Sequence, residues 1–240
     1  MTEDCLLLLG VTDLTAPPTF STVPHMRLPC ATWCALALPV RFDPSESEEA
    51  RMTRWAMSQG EVLCRQVRAS DVLPVKLGAV FSSATALRTH VDARHAELRQ
   101  VAETCRGCVE LAIQAVADAD PAGDGSLLPA SSGRAFLDRR RSARDRRSRT
   151  TSDRRQLVRE LGGALGSLSR NLKTKDVQGR AALADWSILL SRGRIDQLLV
   201  SLEAWENKAR NCGVRLKITG PWPPFAFIGG TQMERCHEWQ

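Results

Sequence analysis

The most reactive spacing in the chain is Cys105-Arg-Gly-Cys108. Two thiols separated by two residues form either a redox pair or half of a zinc site. A redox pair needs a lowered thiol pKa, which a helix N-terminus supplies. Here the pair follows a helical pattern and so falls at the opposite end. Cys30 and Cys34 could supply the second half of a zinc site, but three intervening residues suit a zinc knuckle poorly. The pair therefore reads as packing, with Cys105 a core helix position and Cys108 the start of a strand. The four histidines, 25, 90, 95 and 237, include no HExxH, and His90 and His95 are five residues apart, off a shared helix face. No phosphate-binding GxxxxGK[ST], no GxGxxG after a strand and no GxSxG occurs. Leu161-Gly-Gly-Ala-Leu-Gly166 carries glycines but lies inside a helical pattern. No catalytic residue, metal site or cofactor is expected.

Two other strings could do binding rather than chemistry. From Arg134 to Arg155 there are ten Arg and three Asp, a local charge of +7 in a chain of net +6. Such a stripe attracts phosphates or an acidic surface. Asp138, Asp145 and Asp153 stand three or four residues from arginines, so part of the charge is paired along the helix. Base-stacking aromatics are sparse on the candidate strands, with only Trp33 and Phe81. Gly220-Pro-Trp-Pro-Pro-Phe is the second string. Its prolines hold an extended path, and Trp222, Phe225 and Phe227 present apolar area with little side-chain entropy to lose. It reads either as a segment clamped over the chain's own core or as a recognition element for another chain.

The elements that position these strings follow from periodicity. The chain has 240 residues, 43% of them hydrophobic and 25% charged, which suits a globular protein of one or two domains. No apolar run approaches the ~20 residues that span a bilayer. The acidic start, Glu3 and Asp4, is unlike a secretory leader. A cytoplasmic chain with reduced cysteines is expected.

Cys5–Val11 and Ala31–Val40 read as buried strands joined by a proline-rich connection. Ser45-Glu-Ser-Glu48 reads as a capping box opening a helix to about Val67, with Met52, Trp55, Ala56, Leu63 and Val67 on one face. Asp71–Ser82 reads as a third strand, and Ala84–Cys105 as a helix capped by Ser83 and ended at Gly107. Val109–Ala115 alternates as a fourth strand.

The order β, β, α, β, α, β predicts an α+β fold. An N-terminal ferredoxin-like α/β sandwich over 1–117 is expected, followed by a linker at 118–133. A helix-rich C-terminal domain with a few short strands is expected over 134–228, with a tail at 229–240. In it the pattern predicts a helix to about Leu168, a strand over Asp185–Ser191, a helix over Ile195–Asn211 and a strand over Val214–Ile218.

Leu73-Pro-Val-Lys-Leu-Gly-Ala-Val-Phe81 resembles the LPVRFGTVF signature of the gas vesicle GvpF/GvpL family, and Thr219-Gly-Pro-Trp-Pro-Pro-Phe-Ala-Phe227 resembles its TGPWPPYSF. Phe136-Leu-Asp-Arg-Arg-Arg141 looks like the family's FL/YL-x-R segment, and Gly107-Cys-Val-Glu-Leu-Ala-Ile113 is a weaker match to G-x-VEWGVK. These run in order over roughly residues 70–228. Phe225 stands for the usual Tyr and Leu111 for the VEWG Trp, the first strand lacks a Tyr-rich start, and the tail 229–240 and the cysteine richness are additions.

The resemblance implies a non-enzymatic accessory protein of gas vesicle formation, cytoplasmic and on the gas vesicle. The implied partners are the small hydrophobic major shell protein and other accessory proteins. No cofactor, metal or membrane is implied. Apolar shell subunits need covering before assembly, and the N-terminal sheet could cover them by strand addition or across its face. The candidate contacts are Trp222, Phe225, Phe227, Arg139, Arg140 and Arg141. The alternative reading is a nucleic-acid-binding regulator using the Arg-rich helix 134–155, and a thiol or zinc protein is a further rival.

Overall fold

The computed structural model describes residues 5–118, 133–177, 179 and 181–228, with several side chains of the Arg-rich helix among those left undescribed. Strand β1 (Cys5–Asp13) lies between β3 (Trp33–Val40) and two short strands, β4 (Val72–Pro74) and β5 (Val80–Phe81), with β2 (Met26–Pro29) outside β3. Every pairing of β1 is antiparallel, from Cys5 opposite Val40 to Asp13 opposite Trp33. The register slips between Leu8 and Gly10. Leu7, Leu8, Leu9 and Val11 are fully buried, as expected of a central strand apolar on both faces.

The segment read as one strand over 71–82 is two. β4 pairs with β1 at Gly10–Thr12 and β5 pairs at Leu6–Leu7, with a turn between them at Gly78, whose φ is +106°. The slip in β1 explains the break. Around it, Val75 N–H donates to Leu9 O at 3.2 Å and Leu8 N–H donates to Ala79 O at 2.9 Å. β2 was hidden from pattern reading because its four residues, Met-Arg-Leu-Pro, are closed in by prolines.

Helix α1 (Glu48–Ala69) starts two residues later than the capping box implies. Asp43 Oδ1 takes both the amide and the hydroxyl of Ser45, at 2.8 and 2.6 Å, so Ser47 caps instead, accepting from Ala50 N–H at 3.2 Å. The single helix expected over 84–105 is broken at Arg94 into α2 (Ala84–Ala93) and α3 (His95–Cys105). Ser83 caps α2 as expected, and Gly107 takes the left-handed conformation at φ +65°.

The α+β class holds, but among the described residues the first sheet lacks the fourth strand that the ferredoxin-like arrangement needs. The fourth strand, β6 (Cys108–Ala117), is hydrogen-bonded in a second sheet, ordered β7–β8–β6–β9. That sheet is completed by β7 (Asn171–Lys175), β8 (Ala182–Ser191) and β9 (Val214–Trp222). The reason lies in side chains. Leu111, Ile113 and Ala115 join one core with Leu157, Leu161 and Leu165 of α4 (Gly133–Leu168) and Leu198 and Leu202 of α5 (Ile195–Asn211). β7 was missed because its Asn-Leu-Lys-Thr-Lys is largely exposed, and only its ladder to β8 defines it.

The chain forms two compact units. One is the chain to Glu110 with the chain from Gly220 onward, and the other is Leu111–Thr219. The sequence reading set its boundary after residue 117. Most of the expected linker and the whole tail lie outside the described residues.

Candidate functional site

The proline-aromatic string is positioned at the end of β9. Gly220 has φ +129°, a conformation that favours glycine, and the Gly220-Pro221 peptide is cis. After Trp222 the chain makes a tight turn over Phe225–Phe227, in which Phe227 N–H donates to Pro224 O at 3.0 Å. Ala226 N–H donates to the Glu110 carboxylate at 2.7 Å, and Glu110 is only 4% exposed. The string is thus fastened to β6 by a buried acid. Its aromatics divide: Phe227 is buried, while Trp222 is 39% and Phe225 38% exposed.

Trp222 lines an open groove of about 970 Å³ along α1. Helical spacing builds the groove floor. Ala50, Thr53, Met57, Gly60 and Cys64 follow one another at three and four residues and form one stripe. The opposite side of α1 is core, carrying Trp55, Gln59, Val62, Leu63, Gln66 and Val67. Sequence reading found three of these six, and placed Ala56 there, which is exposed. Gln59 and Gln66 escaped it because they are polar. Gln59 Nε2 donates to Leu9 O at 2.8 Å and Val75 O at 2.9 Å, which makes the glutamine a core residue.

The surface of the groove is mostly apolar. Met57 is 72% exposed at its centre. A Cβ on Gly60 would meet nothing within 4 Å, so the helix backbone itself is open there. Burial pushes the Cys64 thiol up, keeping it neutral. The charges nearby are internally matched. Arg54 forms a two-pronged contact with Glu46 at 3.0 and 2.8 Å, and Arg65 pairs with Glu61 at 3.2 Å. The Arg54 hydrogen bond holds the Glu46 carboxyl below its usual range.

The remaining candidates lie elsewhere. Arg140 and Arg141 are exposed on α4, and the side chain of Arg139 lies outside the described residues. Arg154, at the inner end of the Arg run, is structural. Its guanidinium donates to Cys212 O at 3.0 Å and Gly213 O at 3.1 Å, closing the turn after α5. Cys105 and Cys108 are buried cysteines at the end of α3 and the start of β6. Among the described residues no three His, Cys, Asp or Glu side chains converge as a metal would require, and no helix is long and apolar enough to cross a membrane.

The fold and these motifs have counterparts. GvpF from Anabaena sp. PCC7120 superposes with a TM-score of 0.71 at 14% identity, covering 99% of this chain and all of that one. GvpF from Microcystis aeruginosa superposes at 0.66 with 12% identity, over 93% of this chain and 98% of that one. At such identities these likenesses establish the fold. Gas vesicle protein L of Streptomyces sp. (strain CB03234) is 28% identical over 181 residues, 70% of this chain, which spans 66% of that relative's length. The family described as gas vesicle synthesis protein GvpL/GvpF matches residues 27–229, a stretch that contains β4 and β5, the buried Glu110 and the string ending at Phe227. The chain is a member of the gas vesicle GvpL/GvpF family.

Proposed function

We propose that this chain is a non-enzymatic accessory protein of gas vesicle assembly that holds the small hydrophobic shell protein, to escort it or to seed the shell. The carrying observation is the α1 groove, whose apolar floor lies beside Trp222 of the family's proline-aromatic string. In this reading Trp222 and Phe225 touch the shell subunit, and buried Phe227 anchors the string that presents them. Strand addition is the weaker mode. The edge strand β2 is four residues long and ends in Pro29, which offers no ladder N–H. The internally paired charges near the groove favour a guest that binds by burying area rather than by charge. Other accessory proteins are further partners in this reading.

The test is co-expression with the major shell protein and affinity capture at low and high salt after nuclease treatment. Salt-resistant recovery of the shell protein is expected. Met57→Asp sits on an exposed position and should fold normally. Loss of about 1.5–3 kcal/mol of burial at Met57 should lower recovery about tenfold or more. Undiminished recovery with Met57→Asp would remove the groove from the mechanism. Recovery of nucleic acid alone, lost at high salt, would replace the whole reading with the nucleic-acid one.

A further inference from the structure

Phe20 is 99% exposed, and among the described residues nothing covers it. It stands between β1 and β2, in a connection stiffened by Pro17 and Pro18. On a loose loop an exposed aromatic would be ordinary. This loop is braced against α1. The buried Gln66 clasps it twice, with Nε2 donating to Pro17 O at 3.2 Å and Oε1 accepting the Thr19 hydroxyl at 3.1 Å. Thr22 Oγ1 donates to Glu61 Oε1 at 3.4 Å, nearer the start of the same helix. Phe20 lies between these two fastenings in sequence, so the loop holds its ring out in water from a fixed frame.

The same loop forms part of the α1 groove. Thr22 and Val23 line it with Met57, Cys64 and Trp222. Phe20 is two residues from Thr22, at most about 7 Å along the chain. We propose that Phe20 extends the groove as an aromatic anchor, buried by an apolar face of the bound shell protein. This role rests on the reading of the chain as a holder of that protein, and residue 20 lies outside the family-matched stretch 27–229.

A ring that is fully solvated and already fixed in place gains the most from a guest. Its burial removes apolar area from water, a phenyl side chain has little rotamer freedom to lose, and the braced loop needs little further ordering. Charge points the same way. Arg54, which lines the groove, is held by Glu46 at 2.8 Å, and Glu61 is taken by Thr22 and by Arg65. An acidic helix or an anionic lipid surface would have to compete with those pairs, whereas an apolar guest leaves them intact.

The experiment co-expresses the full chain with the major shell protein and measures shell protein recovered per chain at high salt. Phe20→Ala should lower recovery about tenfold, the loss expected when one buried phenyl ring is removed from an interface. Phe20→Trp, which keeps a large aromatic, should retain most of it. The melting temperature of both variants should equal that of the wild type, because the ring packs on nothing in its own fold. Undiminished recovery with Phe20→Ala, while Met57→Asp still lowers it, overturns the role of Phe20 and leaves the groove standing. Recovery of no shell protein by the wild type overturns the holding function and this contact with it. A lowered melting temperature in Phe20→Ala also overturns the proposal, since the ring would then be part of the fold. Two controls cover the other occupants. Flotation of the wild type with phosphatidylcholine–phosphatidylglycerol vesicles, lost in Phe20→Ala, would reassign the ring to a membrane surface. A dimer seen by light scattering in the wild type and absent in Phe20→Ala would reassign it to a second copy of this chain.

Discussion

The buried carboxylate of Glu110 accepts the backbone N–H of Ala226 at 2.7 Å, joining two motifs 116 residues apart. Glu110 belongs to the strand that follows Gly107, and Ala226 to the turn that ends the proline-aromatic string. A charged acceptor makes this a strong hydrogen bond, and its strand is held by a second long-range one, Gly107 N–H to Asp71 Oδ2 at 2.9 Å. The string is therefore presented from a fixed point rather than hanging from β9.

Removing that acceptor tests the arrangement. Glu110→Ala leaves Ala226 N–H unsatisfied in a buried place, which costs about 1–3 kcal/mol. The melting temperature should fall by several degrees, at about 2–4 °C per kcal/mol for a chain of this size. Chymotryptic cleavage after Phe225, which Ala226 follows, should accelerate. Glu110→Gln keeps an oxygen acceptor and should lose less on both measures. Unaltered proteolysis in Glu110→Ala would show that other contacts hold the string.

Much of this frame was legible in the residues, and the exceptions share a cause. β1, β3, α4 and α5 follow apolar periodicity, and Ser83 and Gly107 act as their types suggest. Periodicity reports which faces are dry, but not which sheet a strand joins. Val109–Ala115 therefore read correctly as a strand and wrongly as part of the first sheet. The groove was invisible for a related reason. Its floor of Ala50, Thr53, Met57 and Gly60 resembles an ordinary exposed face, and only the placement of Trp222 beside it makes a concavity.

Gln59 illustrates a polar residue whose loss should exceed that of many apolar ones. Its amide ties α1 to two carbonyls at the slip in β1, Leu9 and Val75. Gln59→Leu keeps the volume but takes the side-chain donor from Val75 O, while Leu9 O keeps the Val75 N–H; leaving a buried acceptor unpaired costs about 1–3 kcal/mol. Gln59→Glu removes the donor while adding a buried charge and should be worse than Gln59→Leu. Denaturant titration checks both. A Gln59→Leu midpoint equal to that of the wild type would mean that Val75 O finds another donor.

Gly10 marks the tightest approach to the same place. A Cβ there would lie 2.7 Å from Leu73 O and 3.0 Å from Leu63 Cδ2. The leucine end can move, but the carbonyl is held in the β1–β4 ladder. Gly10→Ala should destabilise by about 1–3 kcal/mol through overpacking, against the usual gain for replacing glycine in a strand. A stability equal to or above wild type would show that β4 shifts freely.

His90 should make the first unit sensitive to mild acid. Its Nε2 is buried with no hydrogen-bond partner among the described residues, and its ring tilts against Phe81 at 4.9 Å between centroids. Burial, helped by Arg94 and opposed by Glu97, holds its pKa below the ordinary 6.5. Below about pH 6.5 the unfolded chain therefore binds a proton that the folded chain resists. The stability from neutral His90 is complete above that pH and is lost as pH falls toward the folded pKa. Melting temperatures measured from about pH 8 to pH 5 should fall more steeply for wild type than for His90→Phe, which keeps the ring packing and cannot titrate. Parallel curves would show that His90 titrates alike in the folded and unfolded chain, and that any acid sensitivity comes from other groups.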